Sequence, residues 1–348
     1  MLSFATQSHC YLLDLETSDF IKLFARLPTL RKVDLRHAGQ FKDEVIDHIV
    51  RLKIPITDLR LDAANLVSKE KWFEFFAQAG HRLESLKLAS LENAFDDETC
   101  KAMVEHCSRV QRLKLRSCSR LWDDGLAAIS GLENLKHLSL HLTTTPAGTT
   151  LPMVISNIGP NLRTLSIEGS AQIDDDLLTA VRMSCSKLTK LRLSGSDSIT
   201  DACVRMLFDS PTRPPLQFAD FSNCRDVDYN APDGPDEPVG LASSGFEALM
   251  EHSGMALEVL NIKSCRHISQ ESLTKVFNGK TRYPSLKEID VSFVQAVDTF
   301  HIAAILKSCP NLKKVSAFAC FNVKNISVPG GVALIGVPDA QTSIIHEG

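Results

Sequence analysis

The chain has no surplus of basic residues, no long apolar run and no secretory leader pattern. Its 38 Lys and Arg stand against 42 Asp and Glu, a net charge of −4 with a pI near 6.3. That balance excludes a wholly basic nucleic-acid-binding protein but leaves room for a local basic patch. No apolar stretch approaches membrane-spanning length, and no N-terminal stretch joins a basic region, an apolar run and a cleavage site. A phosphate loop is also lacking: Gly330–Gly331 is a fragment without the G-x-x-x-x-G-K-[ST] pattern around it. The polar residues form no separate nucleophile, base and acid constellation, so neither catalytic residues nor a cofactor is expected. What is there is 348 residues, 44% of them hydrophobic, enough to build a sizeable core.

That apolar content is ordered by a repeat. Val110 to Cys118 reads VQRLKLRSC, with apolar residues at Val110, Leu113 and Leu115 and a cysteine at 118. This is the L-x-x-L-x-L-x-x-C signature of a leucine-rich repeat, a short strand whose alternate side chains point inward. Ten more units carry the same spacing, beginning at Leu30, Ile56, Leu83, Leu135, Leu162, Leu188, Leu216, Leu257, Leu286 and Leu312. They recur every 25 to 29 residues, apart from one interval of 41. Ala219 and Ala317 are weaker core residues than leucine, so the units at 216 and 312 are the least secure.

Between strands the pattern turns helical. Helices are expected over Ser18 to Leu27, with Ser18 as a cap, and over Asp96 to Cys107, Asp123 to Ser130 and Asp174 to Cys185. Asp201 to Phe208 and Ser269 to Phe277 follow the same plan. The opening acids recur in step with the repeat, which marks them as helix starts rather than a single active site. The cysteines also follow the repeat: Cys118, Cys224, Cys265 and Cys320 after strands, and Cys107, Cys185 and Cys309 at helix ends. Together with Cys10, Cys100 and Cys203 they read as buried free thiols of a reducing compartment. Whole layers separate most of them, so no zinc site is expected.

The expected fold is an α/β leucine-rich-repeat solenoid of about eleven repeats, with a curved parallel sheet on the concave face and helices on the convex face. Residues 1–29 form an N-terminal cap, 30–327 the repeats and 328–348 a C-terminal cap or tail, in which Val332 to Val337 adds a strand or covers the open end. Two stretches break the rhythm: HLTTTPAGTTLPM from His141, and an acidic Pro/Gly insertion at 225–240. The insertion is either a tolerated loop or a partner-binding one. KEKWFEFFAQA at Lys69 to Ala79 packs most of its aromatics inward, with Trp72 or Phe75 as the candidate for exposure.

Alternation places the third and fifth residues of each unit on the concave face, with the seventh just beyond. The first two units show a mixed field, and then a basic surface follows: Lys87, then Arg112, Lys114 and Arg116, then His137 and His141. Glu168 reverses the sign before Lys190 and Arg192. These eight basic residues are the candidate partner-binding surface, for an acidic polypeptide or for phosphates, with a merely solvated face as the plain alternative. No aromatics are interleaved with the charges, which disfavours single-strand binding by stacking.

The cysteine after the strand and the acids before the helix resemble the repeats of F-box-type ubiquitin-ligase adaptors. A closer resemblance is to the leucine-rich-repeat subunit of the fungal global-genome nucleotide-excision-repair complex. It rests on LRLDAANLVSKEKWFEFF from Leu59, LKEIDVSFVQAVDTFHIAAIL from Leu286 and VPGGVALIGVPDAQTSI from Val328. This resemblance implies a nuclear, non-enzymatic scaffold. It would work beside a Snf2-type, RING-bearing ATPase in recognising ultraviolet damage and would join a cullin–elongin-C type ubiquitin ligase. Damaged DNA is a further candidate contact within such a complex. No F-box precedes the first repeat, and the family's polar N-terminal extension has no counterpart, so a longer parent chain is expected. The other reading is a substrate receptor of an F-box-like ligase, separated from the first by whether an F-box lies upstream.

Overall fold

Every first, fourth and sixth position of the eleven units is buried, including Ala219 and Ala317, both fully enclosed. The computed structural model describes residues 2–3, 15–36, 38–92, 94–169, 173–209, 213–224, 239–337 and 341–343. Cys10, most of the 225–240 insertion and the last residues of the tail lie outside them. The chain divides into two units, residues 1–164 and 165–348. Each is a stack of strand–helix repeats of the leucine-rich α/β solenoid type. Parallel neighbours need a crossover, and the helix between each pair of strands supplies it.

In the first unit the strands are β1 (Leu2–Ser3), β2 (Lys32–Leu35), β3 (Asp58–Asp62), β4 (Ser85–Ala89), β5 (Arg112–Arg116) and β6 (His137–His141). They pair in parallel in chain order. The alternating helices are α1 (Thr17–Arg26), α2 (Asp43–Arg51), α3 (Lys69–Ala79), α4 (Asp97–His106), α5 (Asp123–Ala128) and α6 (Thr150–Ile158). Two details differ from expectation. Leu2–Ser3 adds a strand where the repeat pattern shows none, and α1 begins after Glu16, whose N–H donates to the Asp19 carboxylate at 3.2 Å, so Ser18 is not its cap. In α3, Trp72, Phe75 and Phe76 are fully enclosed, and the residue left half-buried is Phe73.

The strands that follow are β7 (Thr164–Glu168), β8 (Lys190–Ser194), β9 (Phe218–Asp220), β10 (Val259–Asn261), β11 (Glu288–Asp290) and β12 (Lys314–Ser316). Then come β13 (Ser327–Pro329), β14 (Ala333–Ile335) and β15 (Gln341–Ser343). The helices are α7 (Asp175–Ser184), α8 (Asp201–Phe208), α9 (Ser243–Ser253), α10 (Gln270–Val276) and α11 (Thr299–Ser308). From β8 to β12 the pairing is parallel and in chain order, and β14 then pairs with β12. β13 and β15 pair separately.

In most of the repeats the turn after the strand passes through a residue in the left-handed region. In the first unit Ala63, Ser90 and Ser117 have φ of 61°, 56° and 52°. Their N–H groups donate to Ala89, Arg116 and His141 carbonyls in the next repeat at 3.0, 2.9 and 3.2 Å. A left-handed non-glycine residue costs about 1–2 kcal/mol, which the added rung of the ladder offsets. The next residue turns inward and is small where it is a cysteine or serine. The thiols of Cys224, Cys265 and Cys320 donate to Leu193, Phe221 and Val291 carbonyls of the preceding repeat at 2.8, 3.2 and 3.3 Å. Ser196, at the corresponding position, also donates into the preceding repeat, to the Ile173 carbonyl.

All nine described cysteines are free and buried. Burial pushes the Cys107, Cys185, Cys224 and Cys309 thiols up to about 12 and those of Cys118 and Cys203 up to about 11. A group held so far from its thiolate is a poor nucleophile. A thiol-reactive disulfide reagent is therefore expected to leave these nine unmodified in the native protein and to label them on unfolding. Rapid native labelling of any of them, located by peptide mapping, would contradict this burial.

The helix-start acids do more than cap their own helices. Asp96, Asp174 and Asp298 do cap α4, α7 and α11, accepting the N–H groups of Thr99, Leu177 and His301 at 3.0, 2.9 and 3.0 Å. The acid at the first helical position instead reaches into the following repeat. Asp43 accepts Ser68 N at 2.7 Å, Asp97 accepts Trp122 N at 2.6 Å and Asp175 accepts Thr200 N at 2.8 Å. Asp201 spans the 225–240 insertion in the same way, accepting Ala242 N at 2.7 Å and Gly245 N at 2.9 Å. A Cβ on Gly245 would stand 2.5 Å from the Asp201 Oδ1, so glycine is what permits the approach.

Candidate partner-binding surface

The outward residues of β4, β5 and β6 meet in register. Lys87 lies opposite Lys114, Arg112 opposite His137 and Arg116 opposite His141. Along β5 the burial alternates without a break, leaving Arg112, Lys114 and Arg116 exposed over buried Leu113 and Leu115. Neighbouring strands stand about 4.8 Å apart and same-face residues about 6.6 Å apart along a strand. Six of the eight sequence-predicted residues thus form one basic patch on three strands of the first unit. Like charges in opposed positions are destabilising, and the strand pairing places Lys87 and Lys114 in that relation.

The rest of this strand face is neutralised from within. Asp34 faces both Arg36 and Arg60 at 3.6 Å, and Lys32 faces Asp58 at 3.9 Å. Among the described residues, no carboxylate ion-pairs with Lys87, Arg112 or Arg116. His137 is half-buried, with Nδ1 3.0 Å from the Thr164 hydroxyl, so it belongs to the polar wall of the patch.

The other two predicted residues lie on β8 in the second unit, and their surroundings differ. Arg192 is clamped between Glu168 at 3.0 Å and Asp220 at 2.9 Å, with its guanidinium 5.2 Å above the Phe218 ring. It is a structural ion pair on the strand face rather than an available cation. Lys190 lies near Glu258, whose carboxyl is held below its usual range chiefly by its hydrogen bond to Lys287, with Lys190 adding a smaller pull. Asp220 and Phe218, which hold Arg192, are hard to single out from the sequence because both sit in the weak unit at 216. Their signal was the outward third and fifth positions of LQFADF.

No protein-family model matches the chain. The chain is similar to the DNA repair protein rhp7 of Schizosaccharomyces pombe, 26% identical over 298 residues, covering 83% of this chain and 49% of rhp7. It is 19% identical over 277 residues to the protein EEED8.10 of Caenorhabditis elegans, covering 77% of this chain and 35% of that protein. The chain therefore spans about half or less of the length of these curated relatives. In fold it resembles a chain of the crystal structure of the Rad7 and Elc1 complex in yeast, with a TM-score of 0.77 at 20% identity, covering 93% of this chain and 79% of that one. Along its repeats the chain is thus similar to rhp7, and it shares the leucine-rich-repeat fold of that chain of the Rad7 and Elc1 complex.

Proposed function

We propose that this chain is a non-catalytic scaffold subunit in nucleotide-excision repair, working in the nucleus. It holds a Snf2-type, RING-bearing ATPase engaged in damage recognition and links it to a cullin–elongin-C type ubiquitin ligase. One observation carries the reading: the similarity to rhp7 runs through the repeats for 298 residues, and repeat stacks are partner-presenting surfaces. The likeness in fold to a chain of the Rad7 and Elc1 complex supports a partner of the elongin C class. ATP hydrolysis and ubiquitin transfer then belong to the partners.

Within this reading, the patch of Lys87, Arg112, Lys114, Arg116, His137 and His141 receives an acidic segment of one partner. DNA phosphates are the competing occupant, held by charge without base-specific contacts. Lys190 and Arg192 are secondary to it, since Arg192 already serves Glu168 and Asp220.

The test is affinity purification of the full-length protein from nuclear extract, with nuclease treatment and quantitative mass spectrometry before and after ultraviolet exposure. A stoichiometric Snf2-type ATPase together with elongin C or a cullin is the expected result. A Skp-type adaptor without that ATPase would overturn it and favour the F-box-like substrate receptor.

A further inference from the structure

In the last repeats, three aromatics occupy outward places that the neighbouring repeats give to small or polar residues. Phe318 takes the seventh position of its unit, where the preceding units carry Ser222, Lys263 and Ser292. Phe293 takes the eighth, where Asn223, Ser264 and Ala319 stand. Phe321 takes the tenth, where Asp197, Arg266 and Gln295 stand. They are 47%, 44% and 83% exposed. The repeat supplies its own control: these sites tolerate small and polar residues, so stacking the layers does not require phenylalanine there.

Phe293 adds a second sign. Its φ is 62°, in the left-handed region where a bulky side chain is a genuine outlier. The repeat imposes that φ at the same place in Asn223, Ser264 and Ala319, at 58°, 64° and 55°, so what is particular to this turn is the bulky ring rather than the backbone. The Phe293 N–H donates to the Phe318 carbonyl at 2.8 Å, so the two residues are neighbours on adjacent turns. Phe321 borders a cleft of about 350 Å³ walled by Ala319, Cys320, Val323 and Gly336 and opening beside Lys324. A cleft of that size admits one or two apolar side chains.

The charge around this ridge has one available sign. Lys263 lies over the Phe293 ring, 5.5 Å from its centroid. Among the described residues neither Lys263 nor Lys324 has a carboxylate partner. The carboxylates nearby are engaged: Asp290 accepts Ser292 N at 2.9 Å, Asp298 caps α11, and Glu288 faces Lys314 at 3.9 Å. Lys263 covers one face of Phe293, and Phe318 lies against Gly336, where an added Cβ would meet it at 2.6 Å. Partly covered rings serve poorly as base-stacking platforms but well as the apolar centre of a protein interface with a charged rim.

We propose that the ridge of Phe293, Phe318 and Phe321, with its cleft and lysine rim, docks a segment of a partner protein carrying an apolar anchor residue flanked by acids. The anchor enters the cleft beside Phe321, and the flanking carboxylates meet Lys324 and Lys263. This site is separate from the basic patch on β4–β6 and does not depend on the repair reading.

The test uses two displayed libraries of peptides of about twelve residues, one mixing Asp and Glu with Leu, Ile, Met and Phe, the other mixing Lys and Arg with the same apolar set. A fluorescent oligothymidine serves as a third probe. The acidic library is expected to yield binders that weaken at least roughly tenfold on Phe321→Ala and on Lys324→Glu, as an interface centre and its charged rim should. Both side chains project from the fold, so the melting temperatures of these variants should stay at the parent value. Phe293→Asn, which installs the residue found at 223, should weaken the same peptides without lowering the melting temperature. The proposal is overturned if no acidic peptide depends on Phe321, if the Phe321-dependent binders come from the basic library, or if the oligonucleotide displaces them. A lower melting temperature in Phe293→Asn would make Phe293 a packing residue and remove it from the site.

Discussion

Asp201→Ala is expected to lower the unfolding free energy by about 3–5 kcal/mol, read from urea or guanidinium unfolding. The side chain is almost fully enclosed. It accepts hydrogen bonds from Ala242 N at 2.7 Å, Ser244 N at 3.1 Å, the Ser244 hydroxyl at 2.6 Å and Gly245 N at 2.9 Å. Three of these donors are unpaired N–H groups at the start of α9, and the residue before that helix, Ala242, has no side chain to cap it. The carboxylate also faces the positive end of the α9 dipole. Its removal leaves several desolvated donors at once, and a cavity of three atoms is too small to hydrate them all. Asp124→Ala is the control: its carboxylate is exposed and, among the described residues, ion-pairs with Lys101 alone, so a change within about 0.5 kcal/mol is expected. A loss below about 1 kcal/mol for Asp201→Ala would show that α9 finds other partners for its first turn.

The joint substitution Arg112→Glu, Lys114→Glu and Arg116→Glu is expected to weaken the acidic partner of the β4–β6 patch by roughly 100-fold or more. The three side chains stand outward along β5, so the core beneath them, Leu113 and Leu115, is untouched and the melting temperature should hold. The reversal places carboxylates opposite those of the partner, and it removes the like-charge opposition of Lys114 and Lys87. Co-purification of each partner with parent and variant at several salt concentrations measures the effect, because attraction between exposed charges fades beyond a Debye length of about 8 Å at physiological salt. Undiminished retention of every partner would make the patch a solvated face. Arg192→Glu should behave differently. It would put a third carboxylate between Glu168 and the nearly buried Asp220, and should destabilise the second unit rather than act on binding alone.

Much of this architecture was legible along the chain because the repeat is local. A strand's inward residues are set by alternation, and Leu113 and Leu115 could be assigned to the core without knowing their neighbours. Even the weak unit at 216 keeps its register. Ala219 is enclosed there beside Phe221, whose ring lies 6.4 Å from that of Phe208. The cap of α1 was misread because Ser18 looked like the stronger N-cap residue, whereas the carboxylate of Asp19 already serves the Glu16 N–H. The helix-start aspartates were recognised as starts, but their bonds into the next repeat were not. A side chain's reach across a gap such as the 225–240 insertion has no linear signature.

The same limit applies to the candidate sites. The basic residues of β5 and their two flanking strands could be gathered from period alone, because adjacent repeats of nearly equal length keep register. Arg192 could not be told apart from Arg112 in that way: both are outward arginines in leucine strands. Only the packed neighbours, 24 and 28 residues away in the chain, decide that one is neutralised and the other is not. The exposed phenylalanines likewise look like ordinary core aromatics until the turn geometry turns them outward. The sequence by itself determined the repeat, its inward residues and the group of proteins it resembles, because these follow from local periodicity and hydrophobic burial. The tertiary structure alone decided which charges remain available and which apolar residues face solvent, because both depend on what the neighbouring layers bring within a few ångströms.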